Sequence, residues 1–163
     1  MTDRADPPAG ALLCFDGSSD AAHAITVAGA LLGSRAATVV TVWEPVAVWA
    51  PYDPAALMSA GVSRLASEDL GLDEIAEDIA RETLARGVRL AGEVGFQASG
   101  KLASGKAWRA ICEAAKEIDA SSIVVGARGL SRVQSALLGS VSGAVVNHAG
   151  RPVLVVPVAG DPS

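Results

Sequence analysis

The chain has 163 residues, half of them hydrophobic and 4% aromatic, so we expect one domain with a core of Ala, Val, Leu and Ile. Its net charge of −5 argues against broad nucleic-acid binding, which needs a basic surface to neutralise phosphates. No apolar run approaches the ~20 residues of a membrane helix. Because the stretch from Met1 to Ala9 also lacks the apolar centre of a secretory signal, we expect a cytoplasmic protein.

The first part of the chain predicts two strands with a helix between them. Ala11 to Phe15 is a short apolar run that ends at Asp16-Gly17-Ser18-Ser19-Asp20, which indicates a strand, a turn and a helix start. The helix is predicted from about Asp20 to Leu32. Ala37 to Trp43 is β-branched and apolar throughout, which is typical of a parallel strand covered on both faces. Glu44 to Gly61 contains three prolines and is predicted to be a long irregular excursion.

A long helix is predicted next, with acidic residues in its first turns. Its apolar residues at helical spacing fall near one face, and they are Leu72, Ile75, Ile79, Thr83 and Leu90. The helix is predicted to end near Gly92 or Gly95. Phe96 to Ala103 is a weak strand candidate, because it has few β-branched residues.

The last part of the chain predicts two further strand and helix pairs. Ala107 to Glu117 reads as a helix, Ser122 to Val125 as a strand, and Val141 to His148 as a short helix. Pro152 to Pro157 reads as a strand whose bordering prolines suit the edge of a sheet. This alternation predicts an α/β fold, namely one open parallel five-stranded sheet with helices on both faces.

The residues that follow the strands are the candidate site, because open α/β sheets bind ligands at the carboxyl ends of their strands. Asp16-Gly17-Ser18 follows the first strand, Trp43-Glu44 the second, and Gly126 to Gly129 the fourth. Glycines let the backbone approach a ligand closely, and Gly139 to Ser142 offers a helix start whose N–H groups attract phosphate. The region from Ala120 to Gly160 has no acidic residue, so a small anion could bind there.

This pattern resembles the nucleotide-binding branch of the universal stress protein family. That branch is marked by a glycine, two residues, a glycine, nine residues, and a glycine followed by serine or threonine. Gly126, Gly129 and Gly139-Ser140 have this spacing. The turn Phe15-Asp16-Gly17-Ser18 and the final run from Arg151 to Pro157 also look like the family's first turn and last strand.

The resemblance implies a Rossmann-like fold of the adenine nucleotide alpha hydrolase type. It implies a domain over residues 11–158, between tails at 1–10 and 159–163 that we expect to be disordered. Asp16 would lie near the ribose or adenine, and the Val42 backbone would face the adenine edge. The other implied nucleotide-binding residues are Gly17, Val125, Gly126, Arg128, Gly129, Gly139, Ser140, Val141 and Ser142, with Gly126 to Gly129 at the ribose and phosphates and Gly139 to Ser142 at the phosphates.

The resemblance also implies a ligand and a partner. ATP is the first candidate, with Mg²⁺ bridging its phosphates, and cyclic AMP is the alternative. A homodimer through the last strand, Val153 to Val156, is implied, as is a role as a stress-linked sensor or regulator with at most weak ATP hydrolysis. A ligand-free protein that acts by partner contact alone remains a second hypothesis.

Two other motifs are interpreted as structural. Gly100 to Ala107 fits G-x-x-x-x-G-K, but Ala107 stands where a phosphate loop needs a Mg²⁺-binding hydroxyl, so a strand-to-helix connection is favoured. Cys14 and Cys112 lie far apart in no CxxC pattern, which favours two buried thiols over a disulfide or a metal pair.

Overall fold

Strands and helices alternate along the chain in this computed structural model, which describes residues 10–33, 35–45, 71–128 and 138–158. The strands are β1 (Ala11–Cys14), β2 (Ala36–Trp43), β3 (Gln97–Ser104), β4 (Ser122–Gly126) and β5 (Val153–Val156). The helices are α1 (Ser19–Leu32), α2 (Leu72–Glu93), α3 (Ala107–Glu117) and α4 (Ser140–His148). Apart from Gly10, the predicted tails lie outside the described residues, as do Gly129 and most of the predicted excursion after Glu44.

The five strands form one parallel sheet in the order β3-β2-β1-β4-β5, which confirms the predicted fold class. β3 occupies one edge, where its exposed polar residues are tolerated because, among the described strands, it pairs with β2 alone. β5 occupies the other edge, as its flanking prolines predicted. The strand order reverses between β1 and β4, and this switch point is where open parallel sheets have a crevice at their carboxyl edge.

The sheet separates two apolar cores. Alternate side chains of a strand point to opposite faces, so Leu13 packs with α1 and α2 while Leu12 packs with α3 and α4. Val39 and Val40 divide in the same way on β2. Both layers are therefore covered, which explains why the central strands are apolar without alternation. Within the described residues, no helix is both long and apolar enough to cross a membrane.

Helix α2 leaves the large apolar residues of its first two turns exposed, whereas Leu84, Val88 and Leu90 further along pack against the core. Leu72, Ile75 and Ile79 are 42%, 54% and 60% exposed. The buried positions are the small ones, Ala80, Gly87 and Ala91. At Gly87 a Cβ atom would lie 2.7 Å from the Phe15 ring, so the lack of a side chain there lets the helix approach β1 and β2.

Candidate functional site

A cavity of about 440 Å³ lies at the carboxyl edge of the sheet, across the switch point between β1 and β4. This volume is in the usual range for small-molecule sites, about 300–1,000 Å³. The cavity brings together most of the predicted site residues: Asp16, Val42, Val125, Gly126, Arg128, Gly139, Ser140, Val141 and Ser142. Further lining residues include Cys14, Phe15, Val40, Glu44, Ala107 and Ile111.

One end of the cavity is formed where β2 extends beyond the end of β1. The last backbone hydrogen bond between these two segments runs from Phe15 N–H to the Val40 carbonyl, and the Thr41 hydroxyl donates to the Phe15 carbonyl at 2.8 Å. Backbone groups two residues apart point to the same side of a strand, so the N–H and C=O of Val42 point past the end of β1. Val42 thus presents a donor and an acceptor side by side, flanked by the apolar side chains of Val40 and Ile111.

The other end of the cavity is formed by the start of α4. Gly139 N–H donates to the Ala127 carbonyl at 2.7 Å, and Gly143 N–H makes the first bond within the helix, to Gly139. The N–H groups of residues 140 to 142 therefore have no partner inside the helix. Together with the positive end of the helix dipole, they make an anion-binding surface that faces the cavity.

Ser142 holds this helix start in place. The Ser142 side chain is 4% exposed, and its hydroxyl lies 2.9 Å from the Ala127 carbonyl and 3.0 Å from the Gly139 carbonyl. A hydroxyl has one hydrogen to donate, and here that hydrogen is directed to the protein backbone. Any contribution of Ser142 to an anion would therefore come from its N–H group.

Two of the predicted glycines stand where a side chain would meet backbone. A Cβ atom at Gly126 would lie 3.1 Å from the carbonyl oxygens of both Asp20 and Arg128. At Gly139 it would lie 3.3 Å from the Ala127 carbonyl. Both glycines thus lie where a side chain would crowd the neighbouring backbone of α1 or of the segment after β4, whatever they do for a ligand.

The turn after β1 positions Asp16 at the cavity and Gly17 away from it. Asp16 Oδ1 accepts the Ser18 N–H at 2.9 Å, and Ser18 Oγ accepts the Ala21 N–H at 3.1 Å as the cap of α1. Gly17 has a φ of +85°, which favours glycine, and its Cβ direction leads to Thr83 on α2. Its part in the site is to shape the turn, since it is not among the residues that line the cavity.

The arginines near the C-terminus have different roles. Arg128 lines the cavity. Arg151 lies at the opposite end of the sheet, where its guanidinium donates to the Ala120 carbonyl just before β4. Arg132 lies outside the described residues. The positive charge available to a bound anion among the described lining residues is therefore that of Arg128.

Glu44 was predicted at the candidate site only through its position after the second strand, without a nucleotide-binding role, and it lines the cavity beside α3. Its Oε1 accepts the N–H of Ala107, the first residue of that helix, at 3.0 Å. Gly100 meanwhile lies within β3, and Lys106 is exposed at the turn. The G-x-x-x-x-G-K stretch is thus a strand-to-helix connection in the structure, and its helix start is already occupied by a carboxylate.

The two thiols are free and partly buried. Burial raises the pKa of the Cys14 thiol well above its usual range, and the nearby Cys112 and Asp16 raise it further. Burial and Glu113 also raise the pKa of Cys112, against the opposing effect of Arg151. Cys14 is therefore a neutral, weakly nucleophilic part of the cavity wall. No group of three or more potential metal ligands occurs in the described parts of the chain.

Comparison with known proteins gives one consistent result. The model of the universal stress protein family matches residues 11–157. The universal stress protein YxiE of Bacillus subtilis (strain 168) is 39% identical over 88 residues, which cover 52% of this chain and 60% of YxiE. The match to this curated relative thus spans less than two thirds of the relative's own length.

Solved structures share the fold. The universal stress protein from Archaeoglobus fulgidus, solved in complex with dAMP, is similar with a TM-score of 0.58 and 23% identity, over 90% of this chain and 95% of that one. A universal stress protein solved in complex with cAMP has a TM-score of 0.61 and 21% identity, over 93% of this chain and 98% of that one.

Proposed function

Because the chain belongs to the universal stress protein family, we propose that it binds an adenine nucleotide, with ATP as the first candidate, in the cavity at the carboxyl edge of its sheet. The observation that carries this proposal is that one cavity has hydrogen-bonding backbone groups at both of its ends. The Val42 backbone offers a donor and an acceptor at one end, and the start of α4 offers N–H groups at the other.

The two ends suit the two ends of a nucleotide. Adenine has an apolar face for Val40 and Ile111, and its edge has an acceptor nitrogen beside an amino group, which complements the Val42 N–H and C=O. The phosphates would lie on residues 140 to 142 and near Arg128. Gly129, which lies outside the described residues, belongs to this proposed phosphate site through the glycine spacing.

Cyclic AMP is the second candidate, and a specific observation favours it: a structural relative was solved with cAMP. The dAMP complex of the Archaeoglobus fulgidus protein supports the adenine base in the same way. A cyclic phosphate carries one negative charge and needs fewer N–H groups than a triphosphate. The two ligands therefore differ mainly in how much of the α4 start they use.

Mg²⁺ would accompany a triphosphate rather than occupy a site built by the protein. Such an ion is usually held by one or two carboxylates together with phosphate oxygens and water. Asp16 and Ser140 are the oxygen-bearing side chains that fit this arrangement, since both line the cavity with Arg128. We assign no catalytic residue, and we expect at most weak ATP hydrolysis.

Thermal unfolding with added nucleotide tests the proposal. A ligand that binds only the folded state stabilises it by about 2.7 kcal/mol at a hundredfold excess over Kd. We expect ATP or cyclic AMP to raise the Tm, and mass analysis of ligand released by denaturation to identify an adenine nucleotide. If ATP, ADP, AMP and cyclic AMP all leave the Tm unchanged, the nucleotide proposal is wrong and the ligand-free alternative stands.

Ser140→Asp then tests the location. An acidic residue in the first turn of a helix favours the helix, but it repels a phosphate placed there. We expect ATP affinity to fall by about tenfold or more, as a like charge within a few ångströms requires, without loss of stability. Ser121→Asp, an exposed position before β4 at the other end of the sheet, makes the same charge change and should leave ATP affinity unaltered.

As a cellular role we propose a cytoplasmic, stress-linked sensor or regulator that works as a homodimer through β5. Membership of the universal stress protein family supports the sensor role. The position of β5 at the sheet edge supports the dimer, since Val153, Leu154 and Val155 are only partly buried there.

A further inference from the structure

Glu44 follows β2, which lies two strands away from β4 in the sheet, whereas the start of α4 is bonded to Ala127 directly after β4. The charged side chains among the described lining residues are Asp16, Glu44 and Arg128. Asp16 follows β1 near the middle of the cavity, and Arg128 follows β4 on the side of α4. Glu44 is thus the charged group at the β2 and α3 end, where the other walls are Val40, Val42 and Ile111.

The hydrogen bond from Ala107 N–H to Glu44 Oε1 decides what this end can accept. It places a carboxylate at the start of α3, where a free helix start would otherwise attract an anion. A phosphate is therefore disfavoured here and favoured at α4. The two ends of the cavity therefore differ in the groups they favour. The α4 end suits an anion, and the α3 end suits an uncharged group that donates hydrogen bonds.

We propose that Glu44 is a specificity-determining residue that accepts a hydrogen bond from the exocyclic amino group of the bound base. The inference rests on the proposed nucleotide function and adds the means by which adenine is chosen over 6-oxopurines. A carboxylate has acceptor sites for about four hydrogen bonds, so the bond from Ala107 leaves acceptor capacity for a ligand. Hypoxanthine has an oxygen in place of the amino group, so it would set an acceptor against an acceptor.

Calorimetric titration of the full chain with ATP and with inosine triphosphate tests this role. The wild-type protein should bind ATP about tenfold or more tightly than inosine triphosphate, as expected for a hydrogen bond to a charged acceptor. Glu44→Gln is the informative variant. In that variant the Ala107 N–H holds the oxygen of the substituted amide at the helix start, so the amide NH₂ is left to face the ligand.

In Glu44→Gln, ATP affinity should fall and inosine triphosphate affinity should rise, so that the ratio of the two changes by about tenfold. The ratio separates recognition from packing, because a variant that merely loosens α3 weakens both ligands alike. Glu113→Gln removes the same charge from an exposed position on α3 and should leave the ratio unchanged.

The failing outcomes are distinct. If the wild-type protein binds ATP but binds inosine triphosphate equally well, or if Glu44→Gln leaves their ratio unchanged, Glu44 only caps α3 and this inference is wrong while the proposed function stands. If the wild-type protein binds neither ATP nor any other adenine nucleotide, the proposed function is wrong, and the role of Glu44 falls with it.

Discussion

Single residues at the carboxyl edge divide into those that face the cavity and those that hold its walls. The hydroxyls of Ser142 and Thr41 both bond to backbone carbonyls at the ends of strands, one after β4 and one after β1. Both side chains are buried, and a buried hydroxyl left without a partner costs free energy, so these bonds lock the wall geometry. The donor that Ser142 leaves for a ligand is consequently its backbone N–H group, which cannot rotate away.

The glycine spacing was readable from the sequence, whereas Glu44 was not. Gly126, Gly139 and the helix start at Ser140 follow a local pattern in which each glycine has a turn or a close approach to serve. The contact that defines Glu44 joins residues 63 positions apart, and no local pattern indicates it. The available clue was that Glu44 directly follows a predicted strand, at the edge where ligands bind.

The pKa of Cys14 predicts a loss of stability in alkali. Burial raises this pKa in the folded state, with added effects from Cys112 and Asp16, whereas the unfolded thiol titrates near its ordinary value of 9.0. Above that pH the unfolded state binds fewer protons, so the free energy of unfolding falls as pH rises, by up to about 1.4 kcal/mol per pH unit. Between pH 8 and pH 10 the wild-type protein should lose about 1.4 kcal/mol more than Cys14→Ala.

Denaturant unfolding at several pH values checks this difference. The comparison with Cys14→Ala is needed because lysine and tyrosine residues also titrate in this range. Removing the sulfur also has a cost that does not depend on pH. This cost changes the free energy of unfolding equally at every pH, so it cancels when the two pH slopes are compared. Equal pH slopes for the two proteins would contradict a raised Cys14 pKa.

Among the elements, α2 shows why hydrophobic spacing located a helix but only part of its buried face. Leu72, Ile75 and Ile79 have helical spacing, which correctly indicated a helix, but all three are exposed. The helix packs through the small residues Ala80, Gly87 and Ala91, and through the partly buried Leu84, Val88 and Leu90, of which only Leu90 was among the predicted residues. Small residues carry little hydrophobic signal, so the hydrophobic pattern did not reveal the positions where the helix lies closest to the sheet.

Gly87 and Gly92 on α2 form a matched pair for testing this packing. Gly87→Ala should lower the free energy of unfolding by about 1–3 kcal/mol, since its Cβ would lie 2.7 Å from Phe15 Cδ1 and 3.0 Å from Val39 Cγ1. Gly92→Ala adds a Cβ that has no neighbour within 4 Å, and should raise stability by up to about 1 kcal/mol. Chemical denaturation measures both, and destabilisation of similar size in the two variants would refute the packing argument.

The sequence predicted a parallel sheet and the edge position of β5, but not the full order of the strands. Alternating strands and helices required a parallel sheet, and the prolines around β5 placed it at an edge. Nothing local to Gln97–Ser104 indicated that this polar segment would pair along eight positions with β2. Its ladder forms because the neighbouring strand and α2 supply the apolar partners that β3 lacks.

At the level of the whole molecule, the edge position of β5 predicts which strand would form the interface of a dimer. The carbonyls of Pro152 and Val156 accept bonds from β4, so the backbone groups of Val153 and Val155 point outwards by strand parity. These outward groups could pair with the same strand of a second copy. We expect analytical ultracentrifugation at micromolar concentration to show a dimer.

Val155→Pro tests the interface, because it removes an outward N–H while leaving the bonds to β4 intact, and proline is tolerated in edge strands. The variant should be monomeric with an unchanged circular dichroism spectrum. A wild-type monomer would overturn the dimer proposal. A Val155→Pro dimer would move the interface away from β5.

Phe15 gives the molecule a connection between its two layers. The residue is 4% exposed, its ring packs under Gly87 in the core shared with α1 and α2, and its carbonyl accepts the Thr41 hydroxyl at the cavity. One residue therefore contributes its side chain to the seat of α2 and its backbone to the cavity wall. If a bound ligand shifts α2 through Phe15, thermodynamic reciprocity requires that a partner bound to the outer face of α2, where Ile75 and Ile79 are exposed, change ligand affinity by the same factor.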